Sequence, residues 1–224
     1  MDFWKIEKSD GVVVAAYYNP PTNYLTGSAT EELNALISGW RTDSSINAIV
    51  LTGGVKDRFI THYSVEELVD LAGDREALSH LAPSLIYGYH TLLRSLAYLD
   101  IPVVVGMTGD TMGGGLELSL NCDIRIAQKG DYVIGFPEVA LGILTGTGSQ
   151  LLERTIGLGR ATDFLLRSRL VEPTEALKLG IVTELADDAK ERALSIANGL
   201  NRQSKVSVIG AKRALIRGTN HPIE

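Results

Sequence analysis

Residues 101–123 read IPVVVGMTGDTMGGGLELSLNCD. Ile101-Pro102 ends what precedes, because a residue before proline is driven out of the helical region. Val103–Met107 then reads as a strand buried on both faces. A loop of Thr108 and Gly109 follows, and Gly113-Gly114-Gly115 opens a helix to about Asn121. Glycines at a helix start let another group approach the N–H groups that have no intrahelical partner. The positive end of the helix dipole lies there too. Such a place suits an oxygen that becomes negative during a reaction. Tight packing of this helix on its neighbours is the competing reading, and the three glycines alone do not choose between them.

The glycines extend beyond this stretch. The chain has 224 residues and 23 glycines, and twelve of these fall between Gly106 and Gly159. They are either flexible filler or backbone held where other residues do not fit. The composition is otherwise globular, with 45% hydrophobic and 21% charged residues. A net charge of −6 argues against non-specific nucleic-acid binding, which needs a basic footprint. The single cysteine, Cys122, allows no internal disulfide and no multi-cysteine metal site. MDFWKIEKSDG at the start has no signal-peptide pattern. Asp110 and Glu117 interrupt the best apolar run, so no membrane span is expected. The expected location is the cytoplasm.

Working outward, Phe3–Lys8 and Val12–Tyr17 read as strands joined at Asp10-Gly11. Ser28 with Glu31 forms a capping-box pattern before a helix to about Trp40. Ala48–Thr52 is an apolar strand, Leu81–Tyr98 a helix expected to line the pocket, and Ile124–Ala127 another strand. The rest reads as mainly helical: Pro173 sits where a helix can begin, and Ala193, Ile196, Ala197 and Leu200 share a helical face. Strands alternating with helices, then a run of helices, predict an α/β core with a helical C-terminal part.

Several familiar motifs are missing. There is no P-loop, no G-x-S-x-G elbow, and Gly146-Thr147-Gly148 lacks the third glycine of a dinucleotide fingerprint. His62, His80, His90 and His221 have no metal-ligand spacing. What remains is two carboxylates. Glu117 lies in the first turn of the glycine-led helix, and Glu138 follows Phe136-Pro137 in a loop. Singly, the first is a favourable charge at a helix N-terminus and the second a solvated acid. Together they form a candidate acid/base pair.

At this point the residues resemble the crotonase superfamily, the enoyl-CoA hydratases and isomerases. The resemblance is carried by I-P-V-V-V, T-G-D-T-M-G-G-G-L-E-L, N-C-D-I-R-I-A, F-P-E-V-A-L-G-I and G-T-G within Ile101–Gly148. Asn19–Leu25 (NPPTNYL), Ala48–Gly53 (AIVLTG) and Leu166–Val182 extend it over almost the whole chain. It implies a crotonase-like spiral of ββα units over residues 1–185 and a short helical trimerisation region over 186–224. It also implies a homotrimer or hexamer, acyl-CoA substrates, and no cofactor beyond the CoA carried by the substrate.

By the same resemblance, two backbone N–H groups, from Thr61 and Gly114, hold the thioester oxygen. Glu117 deprotonates the water that attacks Cβ, and Glu138 delivers the proton to Cα. His62, Tyr63, Gly113, Leu141 and Gly142 border the substrate. Keeping both glutamates favours hydration of a 2-enoyl-CoA. The alternatives are another enolate reaction (isomerisation, decarboxylation or β-branching) and a non-catalytic acyl-CoA-binding trimer. The chain departs from the family pattern at His62 (a glycine there), Ser64 (an aspartate) and Thr145 (a proline). Arg202, Lys205, Lys212, Arg213 and Arg217 form a basic segment without acids; it is either a solvated face or a contact for CoA phosphates.

Overall fold

A computed structural model describes residues 2–73 and 75–220. The chain begins with an antiparallel hairpin, β1 (Trp4–Ser9) and β2 (Val12–Tyr17), turning at Asp10-Gly11 with both residues at positive φ. Helix α1 (Gly27–Thr42) and strand β3 (Ala48–Gly53) follow, then α2 (Val65–Gly73) and α3 (Arg75–Ala97). Strands β4 (Val103–Met107) and β5 (Thr111–Met112) lead into α4 (Gly114–Leu120). Strands β6 (Ile124–Gln128) and β7 (Ile134–Gly135) lead through a 3-10 turn at Glu138–Leu141 into α5 (Gly148–Ile156) and α6 (Leu158–Leu166). The chain ends with β8 (Leu170–Val171), α7 (Pro173–Leu179), β9 (Glu184–Ala186), α8 (Ala189–Asn201) and α9 (Lys205–Asn220).

The strands form two sheets. The larger has six strands in the order β1-β2-β3-β4-β6-β9, parallel after the first pair. The smaller has three, β5-β7-β8. Each ββα passage puts one strand in each sheet before a helix returns the chain: β4 then β5, and β6 then β7. This is the expected α/β spiral of ββα units.

Strand β4 is buried along its whole length, because both faces of the large sheet are covered. Val103, Val105 and Met107 point into the main core with Ile49 and Leu51. Val104 points the other way with Val50 and Ile126, against Ala189, Ala193 and Ala197 of α8. Ile196 and Leu200 pack at the edge of that layer. The alanines matter, since only small residues let α8 lie this close to the sheet.

Three local expectations are corrected, and several elements were not foreseen. Helix α1 is capped by Thr26, whose Oγ1 accepts from Ala29 N at 3.2 Å; Ser28 lies inside the helix. Helix α3 starts at Arg75 rather than near Leu81, with Pro83 inside it on an exposed side, where the cost of a missing N–H falls on a solvated turn. Helix α2 and strands β5, β7, β8 and β9 were not legible, these strands being only two or three residues long and too short to show a period. Glu138 opens a 3-10 turn instead of lying in open loop.

The basic segment also has a structural task. Lys205 Nζ donates to Ser44 O (2.7 Å) and Ile46 O (2.8 Å). Lys212, nearly buried, donates to Ile101 O (3.0 Å) and pairs with Asp123 (2.6 Å). Arg213 pairs with Asp100. These three side chains tie α9 to the core and are not a free solvated face. The Arg217 side chain and all of His221 lie outside the described residues.

The glycine-rich segment is divided by packing. A Cβ at Gly115 would overlap the Ile60 carbonyl, whereas nothing lies within 4 Å of one at Gly159. Gly115→Ala is therefore expected to cost about 3 kcal/mol or more through backbone displacement. Gly159→Ala, in a helix at ordinary φ, is expected to gain about 0.4–1 kcal/mol. Chemical denaturation of the two variants checks this; equal effects would show that packing does not distinguish the two positions.

Candidate active site

Four segments meet at the start of α4. The first is the loop at residues 59–64, held by Asn23. That residue is buried at positive φ and donates from Nδ2 to Tyr17 O and Phe59 O. The loop bonds backbone to backbone on one side: Leu25 N to His62 O (2.8 Å) and Ser64 N to Leu25 O (2.8 Å). Thr61 is fully engaged. Its N–H donates to Asn23 O (3.3 Å), its carbonyl accepts from Met112 N (2.8 Å), and Oγ1 donates to Thr22 O (2.7 Å).

The expectation that Thr61 offers a free N–H is thus corrected. The bridge between Leu25 and Tyr63 turns the Tyr63 N–H to the other side. It has no partner among the described residues and lies 3.6 Å from where a Gly114 Cβ would be. The Gly114 N–H likewise has no partner among the described residues, being the first of α4 after an N-cap, Gly113, that has no side chain.

His62 does not distort this loop. It is not among the residues at positive φ, so no glycine-like conformation is asked of it. Its ring stacks on Tyr24 at 4.0 Å and Nδ1 lies 2.6 Å from Tyr63 O. Ser64 starts α2, its Oγ accepting from Glu67 N at 3.3 Å, a capping role open to serine and aspartate alike.

Glu117 is 3% exposed, one turn into α4. Its Oε1 accepts from Thr147 N and Gly148 N, both at 2.6 Å, so the carboxylate sits on the N-terminus of α5. Burial raises its pKa; those two N–H bonds, Tyr89 and His90 oppose the rise. Glu138 comes from the 3-10 turn and is 9% exposed. Its Oε2 is buried without a hydrogen-bond partner among the described residues. Burial, with the Glu117 charge adding to it, pushes its pKa up to about 7. A Cβ on Gly113 would overlap Glu138 Oε1, so the glycine makes room for the acid.

Both carboxylates open onto one cleft of about 480 Å³. His62, Tyr63, Gly114, Glu117, Glu138 and Leu141 border it, and Val65, Leu68, Leu85, Ile86, Ile143 and Leu144 make most of the wall apolar. Gly113 lies behind Glu138. Gly142 ends the 3-10 turn at φ 74° and does not line the cleft. Tyr89 and His90 of α3 also border it and were missed. The signal was present, since Tyr89, Leu92, Leu93 and Leu96 share the inward helical face. Among the described residues no group of three metal-ligating side chains comes together.

An apolar cleft that ends in two buried carboxylates and two N–H groups without partners among the described residues is built on a ββα spiral. The enoyl-CoA hydratase/isomerase family model matches residues 7–223. The chain belongs to that family. A short-chain-enoyl-CoA hydratase of Clostridium acetobutylicum is 29% identical over 223 residues, covering 98% of this chain and 83% of the relative. The fatty acid oxidation complex subunit alpha of Shewanella sp. strain MR-4 is 32% identical over 220 residues, 95% of this chain. The match spans only 30% of that subunit's length. The crystal structure of an enoyl-CoA hydratase from Bacillus anthracis superposes with a TM-score of 0.89 at 27% identity, covering 98% of this chain and 84% of the other. The fold is thus the crotonase fold. No helix among the described residues is long and apolar enough to cross a membrane.

The raised Glu138 has a consequence for stability. The folded chain binds this proton up to about pH 7, while an unfolded carboxyl releases it near pH 4.3. Stability therefore falls as pH rises between those values and stays lower above them. Glu138→Gln is expected to be more stable than the parent at pH 8, on the order of 1–3 kcal/mol, with the difference shrinking at pH 4–5. Denaturant unfolding of both proteins at the two pH values is the measurement; a difference independent of pH would remove the burial argument.

Proposed function

We propose that this cleft adds water across the double bond of a 2-enoyl-CoA. The observation that carries the reading is the convergence of two buried carboxylates on a cleft that also holds the unpaired N–H groups of Tyr63 and Gly114. In this reading the thioester oxygen accepts from both N–H groups, at the positive end of α4. Water lies between Glu117 and Glu138. As its oxygen bonds to Cβ, Glu117 takes one of its protons, and the π electrons move onto the thioester oxygen as an enolate. Glu138, held neutral by burial, gives its proton to Cα, and the enolate collapses to the 3-hydroxyacyl thioester. A proton then returns from Glu117 to Glu138 through solvent.

Nothing is oxidised or reduced, so the CoA of the substrate is the one cofactor-like group the reaction requires. Glu117 suits the base because its Oε1 is fixed by two N–H groups that favour the charged form. Glu138 suits the acid because nothing pairs with its Oε2. A purely binding role gives no reason to bury an unpaired carboxyl at a cost in stability. Double-bond isomerisation is the second reading, since a single carboxyl of pKa about 7 can shuttle a proton between two carbons. Assembly as a homotrimer or hexamer belongs to the same proposal and is tested by sedimentation.

Incubation with 2-enoyl-CoAs of graded length is expected to lose the enoyl absorbance and gain the mass of one water. Glu117→Gln and Glu138→Gln are each expected to lower kcat by about 10²–10⁴-fold. Full activity in both variants would overturn the roles, and a moved double bond without mass gain would favour isomerisation. Because the donor is the neutral form of Glu138, the parent's kcat is expected to fall as pH rises through about 7. A rate that climbs through that range would sink the assignment of Glu138 as the acid.

A further inference from the structure

Tyr89 is a side chain at the centre of the site to which the proposed reaction assigns nothing. Its place is set from both ends of its helix face. Leu92, Leu93 and Leu96 of α3 are buried in the core, and Asn34 of α1 donates to Gly88 O at 3.0 Å. So held, the phenol reaches over the start of α4, and its hydroxyl donates to Gly114 O at 2.7 Å. The hydroxyl oxygen would lie 3.0 Å from a Gly114 Cβ, so the absence of a side chain there admits it. The ring meets the Tyr63 ring edge-on, with centroids 5.9 Å apart. The same side chain borders the cleft onto which Glu117 opens, and it opposes the rise in that carboxyl's pKa. One side chain thus touches both residues that offer these N–H groups and shares their cleft with the Glu117 carboxylate.

We propose that Tyr89 is a positioning residue of this site: its hydroxyl, held on Gly114 O and facing Glu117, fixes the carboxylate relative to the Tyr63 and Gly114 N–H groups. The inference rests on the hydratase reading. A phenol suits both states of Glu117. When the carboxylate is charged, the O–H can turn towards it. When Glu117 is protonated, the carboxyl O–H can donate to the phenol oxygen, whose own proton stays on Gly114 O. Only hydroxyl rotation separates the two arrangements, and no proton passes through Tyr89. The phenol itself stays neutral, since burial and then the Glu117 charge push its pKa well above the ordinary value.

Other groups also act on Glu117: His90 from α3, Glu138 from the 3-10 turn, and the Thr147 and Gly148 N–H groups from α5. The test therefore reads the Glu117 carboxyl itself. Tyr89→Phe keeps the ring and its contact with Tyr63 and removes only the hydroxyl. Its kcat on a 2-enoyl-CoA is expected to fall about tenfold or more with little change in KM, and the acid limb of kcat/KM is expected to move to higher pH. In parallel, infrared difference titration against Glu117→Gln reads ionisation of Glu117 without turnover. It is expected to shift upward in the Phe variant.

Unchanged kcat with an unmoved carboxyl titration would overturn the proposal, as would a rise in KM alone. If the parent protein hydrates nothing, the infrared shift still decides the contact between Tyr89 and Glu117, while the hydratase reading fails by itself. If Tyr89→Phe unfolds, Tyr89→His, which offers an N–H near the same place, is used; recovery of the carboxyl titration supports the proposal and its loss with a folded protein opposes it.

Discussion

The first turn of α4 lies against the Ile60 carbonyl with no room for a side chain at Gly115. That close approach fixes the helix start against the 59–64 loop, and both ends of the proposed oxygen-binding pair depend on it. Move α4 outward by the width of a methyl group and the Gly114 and Tyr63 N–H groups separate. The loop is rigid for its own reasons: Asn23 holds Phe59 O, and Thr61 spends its N–H, carbonyl and hydroxyl on the backbone around it. One donor is left facing the helix, and it is that of Tyr63.

The two carboxylates are in one cleft but in different surroundings, and in the proposed reaction that difference gives them separate work. Glu117 is buried more deeply, yet two backbone N–H groups and a phenol compensate its charge. Glu138 is slightly more open, yet its inner oxygen finds no partner and its neighbour is negative. Burial raises both acids, and hydrogen bonds from two N–H groups oppose it at Glu117. A second cost of the arrangement is the glycine at 113, where any side chain would displace Glu138.

The long helix α3 connects core and site. Its C-terminal half carries leucines into the main core, so the Tyr89 side chain is placed by packing that has nothing to do with substrate. At the other edge of the fold, Lys205, Lys212 and Arg213 clamp α9 onto the sheet through carbonyls and acids. Three members of a row of basic residues that reads along the chain as a charged face are spent, in three dimensions, on carbonyls and carboxylates near the starts of β3 and β4.

The sequence by itself determined the alternation of strands and helices, the both-sides-buried character of Val103–Met107, the two glutamates and the glycine-led helix that carries the first of them. Each rests on local properties: hydrophobic period, glycine sterics and carboxylate chemistry act within a few residues of chain. Tertiary structure decided what depends on a partner far away in sequence. Thr61 is the expected donor of a free N–H until Asn23 O claims it and leaves that of Tyr63. Tyr89 is a core-facing aromatic until α3 is docked and its hydroxyl meets Gly114. Glu138 is an ordinary acid until the cleft closes over its Oε2. Hydrogen-bond satisfaction and desolvation are properties of an enclosed volume, and only the folded chain encloses one.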